Sequence, residues 1–199
     1  MGRPIKKRSG RSTVALVGDG FTEKIYFSDL KDTDRPEGLD IKPDYPRKAG
    51  SFKGVLERGI SLKQDYSRVY ALIDMDAIIA QGQQAVYQRL KIAAERKGVI
   101  VLENNPCFEM WLLLHFRPTG QHFGDCDEVS EQLERYIPGY DKSQRFQAAA
   151  RLYANLRENI PQAIINARSL ETDRADRDEH YPRAETFRFF EWYEGKRAR

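Results

Sequence analysis

The chain has 199 residues, of which 40% are hydrophobic and 32% are charged. This length and composition are typical of one folded domain with a buried core, and they exclude a disordered or fibrous protein. No apolar run is long enough to cross a bilayer, and the N-terminus lacks the apolar segment of a signal peptide, so we expect a cytoplasmic protein with no membrane contact. Cys107 and Cys126 make neither a disulfide framework nor a zinc-type spacing, which also predicts a reducing compartment.

The net charge of +3 is unevenly distributed along the chain. Five basic residues precede position 12, namely Arg3, Lys6, Lys7, Arg8 and Arg11. We interpret residues 1–12 as a flexible basic tail. Such a tail either follows a nucleic-acid backbone or only keeps the protein soluble, and its composition does not separate these two roles.

In chain order, the first half alternates short apolar segments with amphipathic ones. The segments with strand character are 13–17, 39–45, 68–74 and 99–102. The segments with helical periodicity are about 22–30, 51–66 and 83–97. This alternation predicts right-handed βαβ crossovers, and therefore an α/β fold whose mostly parallel sheet of about four strands is flanked by helices. Pro43 cannot donate to a strand ladder, so we expect its strand to be either an edge strand or a broken one.

The second half is predicted to be helical throughout, with no strand. A very apolar helix at 110–116 follows Pro106, which suits a first helical turn. Further helical patterns lie at about 127–136, 143–158, 160–171 and 183–194. We therefore divide the chain into an α/β core over 13–116 and a helical C-terminal extension over 117–199 that packs on the core.

The apolar segment Arg68–Asp76 ends in two aspartates separated by one residue. Ligands of open α/β sheets bind at the carboxyl ends of the strands, which is where Asp74 and Asp76 are expected. Two neighbouring carboxylates repel each other unless a cation lies between them. The alternative is that these acids only begin the next helix.

A second pair of acids follows the first predicted strand. Asp19 lies in the turn Gly18–Gly20, and Glu23 follows four residues later. This turn lacks the glycine pattern of a P-loop or a dinucleotide fingerprint, and by itself it reads equally as a tight turn followed by a first-turn acid. Adjacent strands lie about 5 Å apart, so all four carboxylates would gather on one rim. Oxygen-only ligands favour Mg²⁺ or Mn²⁺ over zinc, and such sites serve phosphoryl transfer.

Two further residues near the fourth strand are candidates for the same rim. Glu109 lies at the start of the helix that follows this strand, and we expect it to be an auxiliary acid. His115 lies six residues further on, too far around the helix to share a ligand with Glu109. A hydrogen bond to the surrounding structure is therefore the more economical role for His115.

Several motifs resemble a known family. The strand and turn up to Glu23, followed by a strand that ends in Asp74-Met75-Asp76, resemble a TOPRIM domain, the metal-binding α/β module of topoisomerases, primases and some nucleases. A closer resemblance is to the RloB-like (AbiLii-like) family of prokaryotic phage-defence proteins. It rests on Phe-Thr-Glu-Lys-Ile-Tyr-Phe at 21–27, Asn-Pro-Cys-Phe-Glu-Met-Trp-Leu-Leu-Leu-His-Phe at 105–116, Pro-Gly-Tyr-Asp-Lys at 138–142, Ala-Ile-Ile-Asn-Ala at 163–167 and, more loosely, 182–186.

The resemblance spans about residues 13–190 and implies a TOPRIM-like core, a metal-dependent nuclease activity and a role in anti-phage defence. The substrate would be RNA, tRNA included, or DNA. The implied metal ligands are Asp19, Glu23, Asp74 and Asp76, assisted by Glu109 and Lys142. Lys142 would contact a phosphate, since it closes the family landmark at 138–142, although an exposed turn lysine is the plainer reading.

One departure leaves a second reading open. The family generally carries glutamate where this chain has Asp19, and aspartate is one methylene shorter. The alternative is a catalytically weakened protein that binds nucleic acid as the effector subunit of an ATPase-partnered complex. The chain has no P-loop, so ATP-driven triggering would come from another protein. A primase or topoisomerase is disfavoured, because no zinc module and no nucleophilic tyrosine stand out.

Overall fold

The computed structural model describes residues 12–46, 51–173 and 180–197. Apart from Ser12, the predicted basic tail lies outside these residues. A single sheet has the strand order β2-β1-β3-β4-β5. Its strands are β1 (Ser12–Val17), β2 (Leu39–Asp44), β3 (Arg68–Asp74), β4 (Val99–Asn105) and β5 (Arg183–Ala184). The first four are parallel and β5 is antiparallel to β4, which confirms the predicted α/β fold with a mostly parallel sheet.

Helices cover both faces of this sheet and form most of the second half of the chain. They are α1 (Phe21–Asp34), α2 (Phe52–Leu62), α3 (Asp76–Ala80), α4 (Gln84–Arg96), α5 (Glu109–Leu113), α6 (Cys126–Leu133), α7 (Gln144–Ala150), α8 (Leu152–Leu156), α9 (Ile160–Asp173) and α10 (Phe187–Arg197). A 3₁₀ turn at Arg157–Asn159 joins α8 to α9. None of the helices within the described ranges is long and apolar enough to cross a membrane.

The prediction that the second half contains no strand is wrong, and the sheet has five strands instead of four. β5 is two residues long, and it pairs with Asn104 and Asn105 at the end of β4. Two residues cannot show an alternating pattern, so only the long-range pairing reveals this strand. The predicted helix at 143–158 is also interrupted at Arg151, which adopts a left-handed conformation with φ of 44°.

The strand β3 is buried on both faces, as its continuous apolar sequence predicts. Tyr70 and Leu72 face a large core formed with α1, α5, α9 and α10. Val69, Ala71 and Ile73 face a smaller core formed with α2 and α4. Because side chains alternate along a strand, Asp74 continues the row that faces the larger core.

Asp34, at the end of α1, joins the C-terminal helices to the first half of the chain. Its side chain is fully buried and meets two arginines and two tyrosines: Arg157 at 3.0 Å, Arg197 at 3.0 Å, Tyr153 at 2.5 Å and Tyr193 at 2.9 Å. A buried carboxylate needs such partners, since its desolvation is otherwise costly. This cluster holds α8 and α10 against α1.

Candidate functional site

The turn between β1 and α1 brings two of the predicted acids together. The carboxylate of Glu23 folds back over the turn, where its Oε1 accepts a hydrogen bond from the backbone N–H of Asp19 at 3.2 Å. Gly18 makes room for this, because an added Cβ would lie 2.8 Å from both Cβ and Oε1 of Glu23. Glu23 is buried with only 4% of its surface exposed, whereas Asp19 is partly exposed. Oδ1 of Asp19 accepts from the backbone N–H of Ser51, just before α2, at 3.0 Å.

The other two predicted acids lie on different elements. Asp74 is the last residue of β3, and Asp76 is the first residue of α3. The turn between them is held by the carbonyl oxygen of Pro106, which accepts from the backbone N–H groups of Met75 at 2.8 Å and Asp76 at 3.0 Å. The end of β3 is therefore tied to the segment that leads into α5.

Glu109 begins α5 and points toward the same region. It is 4% exposed, and its two carboxylate oxygens have different neighbours. Tyr140 donates its hydroxyl to Oε1 at 3.0 Å, and Sγ of Cys126 lies 3.0 Å from Oε2. The hydrogen bond from Tyr140, in the C-terminal part of the chain, thus holds Glu109 in one orientation.

Lys142 lies at the outer edge of this region. Its ammonium group is 3.4 Å from the exposed carboxylate of Asp127, a solvent-screened contact that contributes little. Its charge nevertheless lowers the pKa of Asp76 and of Glu109, against the upward effect of burial on both. Lys142 is therefore close enough to act on the acids, yet it does not neutralise them.

Burial and mutual repulsion dominate the electrostatics of the acids. The pKa of Glu23 is raised to about 7, first because burial disfavours the charged form and then because Glu109 and Asp19 repel it. The pKa of Asp74 is raised well above its usual value by burial and then by the charges of Glu23 and Glu109. Carboxyl groups that raise one another's pKa in this way are stabilised by a cation placed among them.

The site is open and not a closed cage. Asp19, Asp74 and Asp76 line one cavity of about 260 Å³, together with residues from α2, α3 and the start of α4. Among the described residues, one group of three potential ligands has atoms within 4.8 Å of one another, and it is Cys107, Glu109 and Cys126. The structure therefore places Asp19, Asp74 and Asp76 around one opening, and Glu23 and Glu109 act on Asp74 by charge without lining that opening.

Cys107 and Cys126 form a disulfide, with Cα atoms 5.6 Å apart, so the expectation from their spacing alone is wrong. Their sequence separation of 19 gave no signal of the pairing, because the disulfide depends on α6 packing against α5. With the two sulfurs bonded to each other, the group Cys107, Glu109 and Cys126 offers a single carboxylate, which is not a metal site.

Three residues at this edge have roles that the sequence did not suggest. Tyr140 and Ser51 bond the acids, as described above. Asn104, beside Asp74 on β4, is fully buried, and Thr186 donates to its Oδ1 at 2.9 Å. A buried amide at the end of a strand signals such a role, because burying an amide is costly unless its partners are specific.

His115, by contrast, has the structural role expected of it. It is buried at the end of α5, and its Nδ1 lies 2.9 Å from the carbonyl oxygen of Trp111. Burial lowers its pKa to about 4, so the ring is neutral at physiological pH. It does not belong to the group of acids.

The acids fit a hard divalent cation on two observations. Every candidate donor around the cavity is an oxygen, which suits Mg²⁺ or Mn²⁺. The buried Oδ1 of Asp74 has no hydrogen-bond partner within the described residues, which is costly for a carboxylate unless a cation meets it. The open cavity leaves room for the water ligands that Mg²⁺ usually keeps.

A family model described as RloB-like protein matches residues 14–189, which is most of the chain. No curated protein and no solved structure matches the chain. The match covers all the acids described above and both halves of the chain.

Proposed function

Because this chain belongs to the RloB-like family, we propose that it is a defence-associated nuclease that hydrolyses phosphodiester bonds with the help of Mg²⁺ or Mn²⁺. The observation that carries this proposal is the set of mutually repelling buried acids around Asp74, whose Oδ1 lacks a partner in the described part of the chain. Buried acids that repel one another destabilise a fold unless a ligand of opposite charge binds among them, so such a set marks a candidate binding site.

Each acid has a role that follows from its position. Asp74 and Asp76 would hold the cation at the end of β3, and Asp19 and Glu23 would complete a second position or orient a water. Bound there, the cation would neutralise the carboxylates, polarise a phosphodiester and lower the pKa of a water molecule.

Two residues outside this metal set would assist. Lys142, exposed beside the acids, would contact a phosphate of the substrate, since a lysine supplies a flexible point charge for that purpose. Glu109 would be an auxiliary acid held in one orientation by Tyr140. The substrate is a nucleic acid, either RNA, tRNA included, or DNA.

The test is cleavage of labelled RNA and DNA, single-stranded and duplex, by the purified full chain in Mn²⁺, Mg²⁺ or EDTA. Asp74→Ala should lower the cleavage rate by more than about 100-fold, because a bound cation supplies several kcal/mol of transition-state stabilisation. The matched control is Asp40→Asn, which removes an exposed acid on β2, away from the cavity, that pairs with Lys31 at 3.3 Å. Cleavage that persists in EDTA, or in Asp74→Ala, would contradict the proposal.

A second function is favoured by the position of Asp19. One of its carboxylate oxygens already accepts from the backbone N–H of Ser51, and its side chain is shorter than the family's glutamate. The protein would then bind nucleic acid as the effector subunit of an ATPase-containing complex. Wild-type protein that is inactive alone but active as Asp19→Glu would favour this function. Activity that appears only when an ATPase partner and ATP are added would favour it as well.

We also propose that the protein acts in the cytoplasm, where its nucleic-acid substrate is found. Thiols are kept reduced there, so the disulfide between Cys107 and Cys126 would be opened in the working protein.

A further inference from the structure

The side chains of Asp74 and Asn104 lie next to each other at the carboxyl ends of β3 and β4. The two residues are register partners in a parallel pair of strands. Leu72 and Leu102, two residues earlier on each strand, are also partners, and both belong to the larger core. Because side chains alternate, Asp74 and Asn104 project to that same face of the sheet.

Each of these neighbours has one buried polar atom without a hydrogen-bond partner among the described residues. On Asp74 this atom is the acceptor Oδ1, and on Asn104 it is the donor Nδ2. Leaving a buried group unpaired costs about 1–3 kcal/mol. An unpaired donor beside an unpaired acceptor therefore marks an interaction that is completed in another state of the site.

The amide of Asn104 is already fixed from its other side. Thr186, which is fully buried between β5 and α10, donates its hydroxyl to Oδ1 of Asn104 at 2.9 Å. That hydrogen bond leaves Nδ2 as the free end of a fully buried side chain. The chain thus holds a donor in a defined orientation beside a candidate metal ligand.

We infer that Asn104 is a positioning residue for Asp74, whose carboxylate receives a hydrogen bond from Nδ2 once a divalent cation is bound, and that Thr186 fixes the amide for this purpose. The inference rests on the metal site proposed above. Carboxylates that bind metals are themselves held by hydrogen bonds, and loss of such a partner typically weakens metal binding by about 10–100-fold. Thr186, in the segment that follows β5, thereby has a role at the site.

The test is calorimetric titration of the metal-free full chain with Mn²⁺. Asn104→Leu should weaken Mn²⁺ binding by about 10–100-fold. Thr186→Val, which removes only the hydroxyl, should weaken it by less, and Thr186→Ser should retain the wild-type affinity. The matched control is Asn166→Leu. Asn166 is also a buried asparagine, and its Nδ2 donates to the carbonyl oxygen of Leu114 at 2.8 Å, so its loss should lower stability without changing Mn²⁺ affinity.

The outcomes separate this inference from the proposed metal site. If Asp74→Ala abolishes Mn²⁺ binding but Asn104→Leu and Thr186→Val bind like wild type, Asn104 has no positioning role and the metal site stands. If wild type binds no better than Asp74→Ala, both are wrong. Should Asn104→Leu fail to fold by circular dichroism, the comparison of Thr186→Val with Thr186→Ser decides, because a merely structural hydroxyl would change the melting temperature and not the affinity.

Discussion

Two groups of buried acids lie at the same end of the sheet, on opposite faces. The first group consists of Glu23, Asp74 and Glu109. We call it the unpaired cluster because, within the described residues, none of these acids forms an ion pair with a lysine or arginine. The second, which we call the paired cluster, is centred on Glu103, one residue before Asn104 on β4. Tyr87 and Lys91 each lie 2.8 Å from its Oε1, and Arg183 lies 2.7 Å from its Oε2.

The pKa values of the two clusters shift in opposite directions. Burial by itself would raise the pKa of Glu103, but the charges of Arg183 and Lys91 outweigh it and hold this pKa at about 2. Glu23 is similarly buried and its pKa is raised to about 7. The difference is the presence of cations from the chain itself, so a buried acid that lacks them is the one to test for a ligand.

The largest expected effect is the loss of a partner within the paired cluster. Glu103→Gln removes the carboxylate that pairs with the buried guanidinium of Arg183, and breaking a buried ion pair costs about 3–5 kcal/mol. Urea denaturation should show this loss in EDTA. Glu23→Gln makes the same chemical change in the unpaired cluster and should not lower the free energy of unfolding in EDTA. Equal losses for the two variants would remove the distinction between the clusters.

The free energy of unfolding should depend on pH with opposite sign for the two clusters. The pKa of Glu103 is lowered on folding, so its contribution is present above about pH 4.5 and is lost as the pH falls toward about 2. The pKa of Glu23 is raised, so its contribution is present below pH 4.5 and is lost as the pH rises through about 7. Each shift corresponds to about 3 kcal/mol at most.

The measurement is the free energy of unfolding in EDTA between pH 3 and pH 9, with the same two variants as controls. Glu23→Gln should reduce the loss of unfolding free energy as the pH rises above 5. Glu103→Gln should reduce the loss of unfolding free energy as the pH falls below 5. Saturating Mg²⁺ should also remove the upper decline, since a bound cation favours ionised acids. An upper decline that neither Mg²⁺ nor Glu23→Gln changes would show that Glu23 is not its cause.

The sequence predicts those elements of the fold that depend only on residues close together in the chain. The strand β3 was predicted at 68–74, where it is found, because a run of β-formers buried on both faces needs no distant information. The position of Asp74 at its end follows from the same run. Pro43 indicates an edge strand or a broken one, and β2 is an edge strand.

The parts that sequence did not predict depend on residues far apart in the chain. Arg183 reaches Glu103 across 80 residues, and Thr186 reaches Asn104 across 82. The segment 183–186 supplies β5 and both of these contacts, whereas its sequence pattern indicates the start of a helix. The disulfide of Cys107 and Cys126 likewise depends on how α6 packs against α5. Residues whose side chains can bind a metal or transfer a proton can be recognised in the sequence. The residues that contact them are known only from the fold.

The smallest effect is expected for Asp74→Asn, which should raise stability and abolish the stabilisation by Mg²⁺. Asp74→Asn removes a buried negative charge from the unpaired cluster and keeps the side-chain size. It should stabilise the metal-free protein by about 1–2 kcal/mol at pH 8, because an unpaired buried charge opposes folding. Mg²⁺ should stabilise wild type by an amount that grows with the logarithm of its concentration over Kd, and should leave Asp74→Asn unchanged. The measurement is urea denaturation with and without Mg²⁺, and a destabilised Asp74→Asn would mean that this carboxylate serves the fold in the way that Glu103 does.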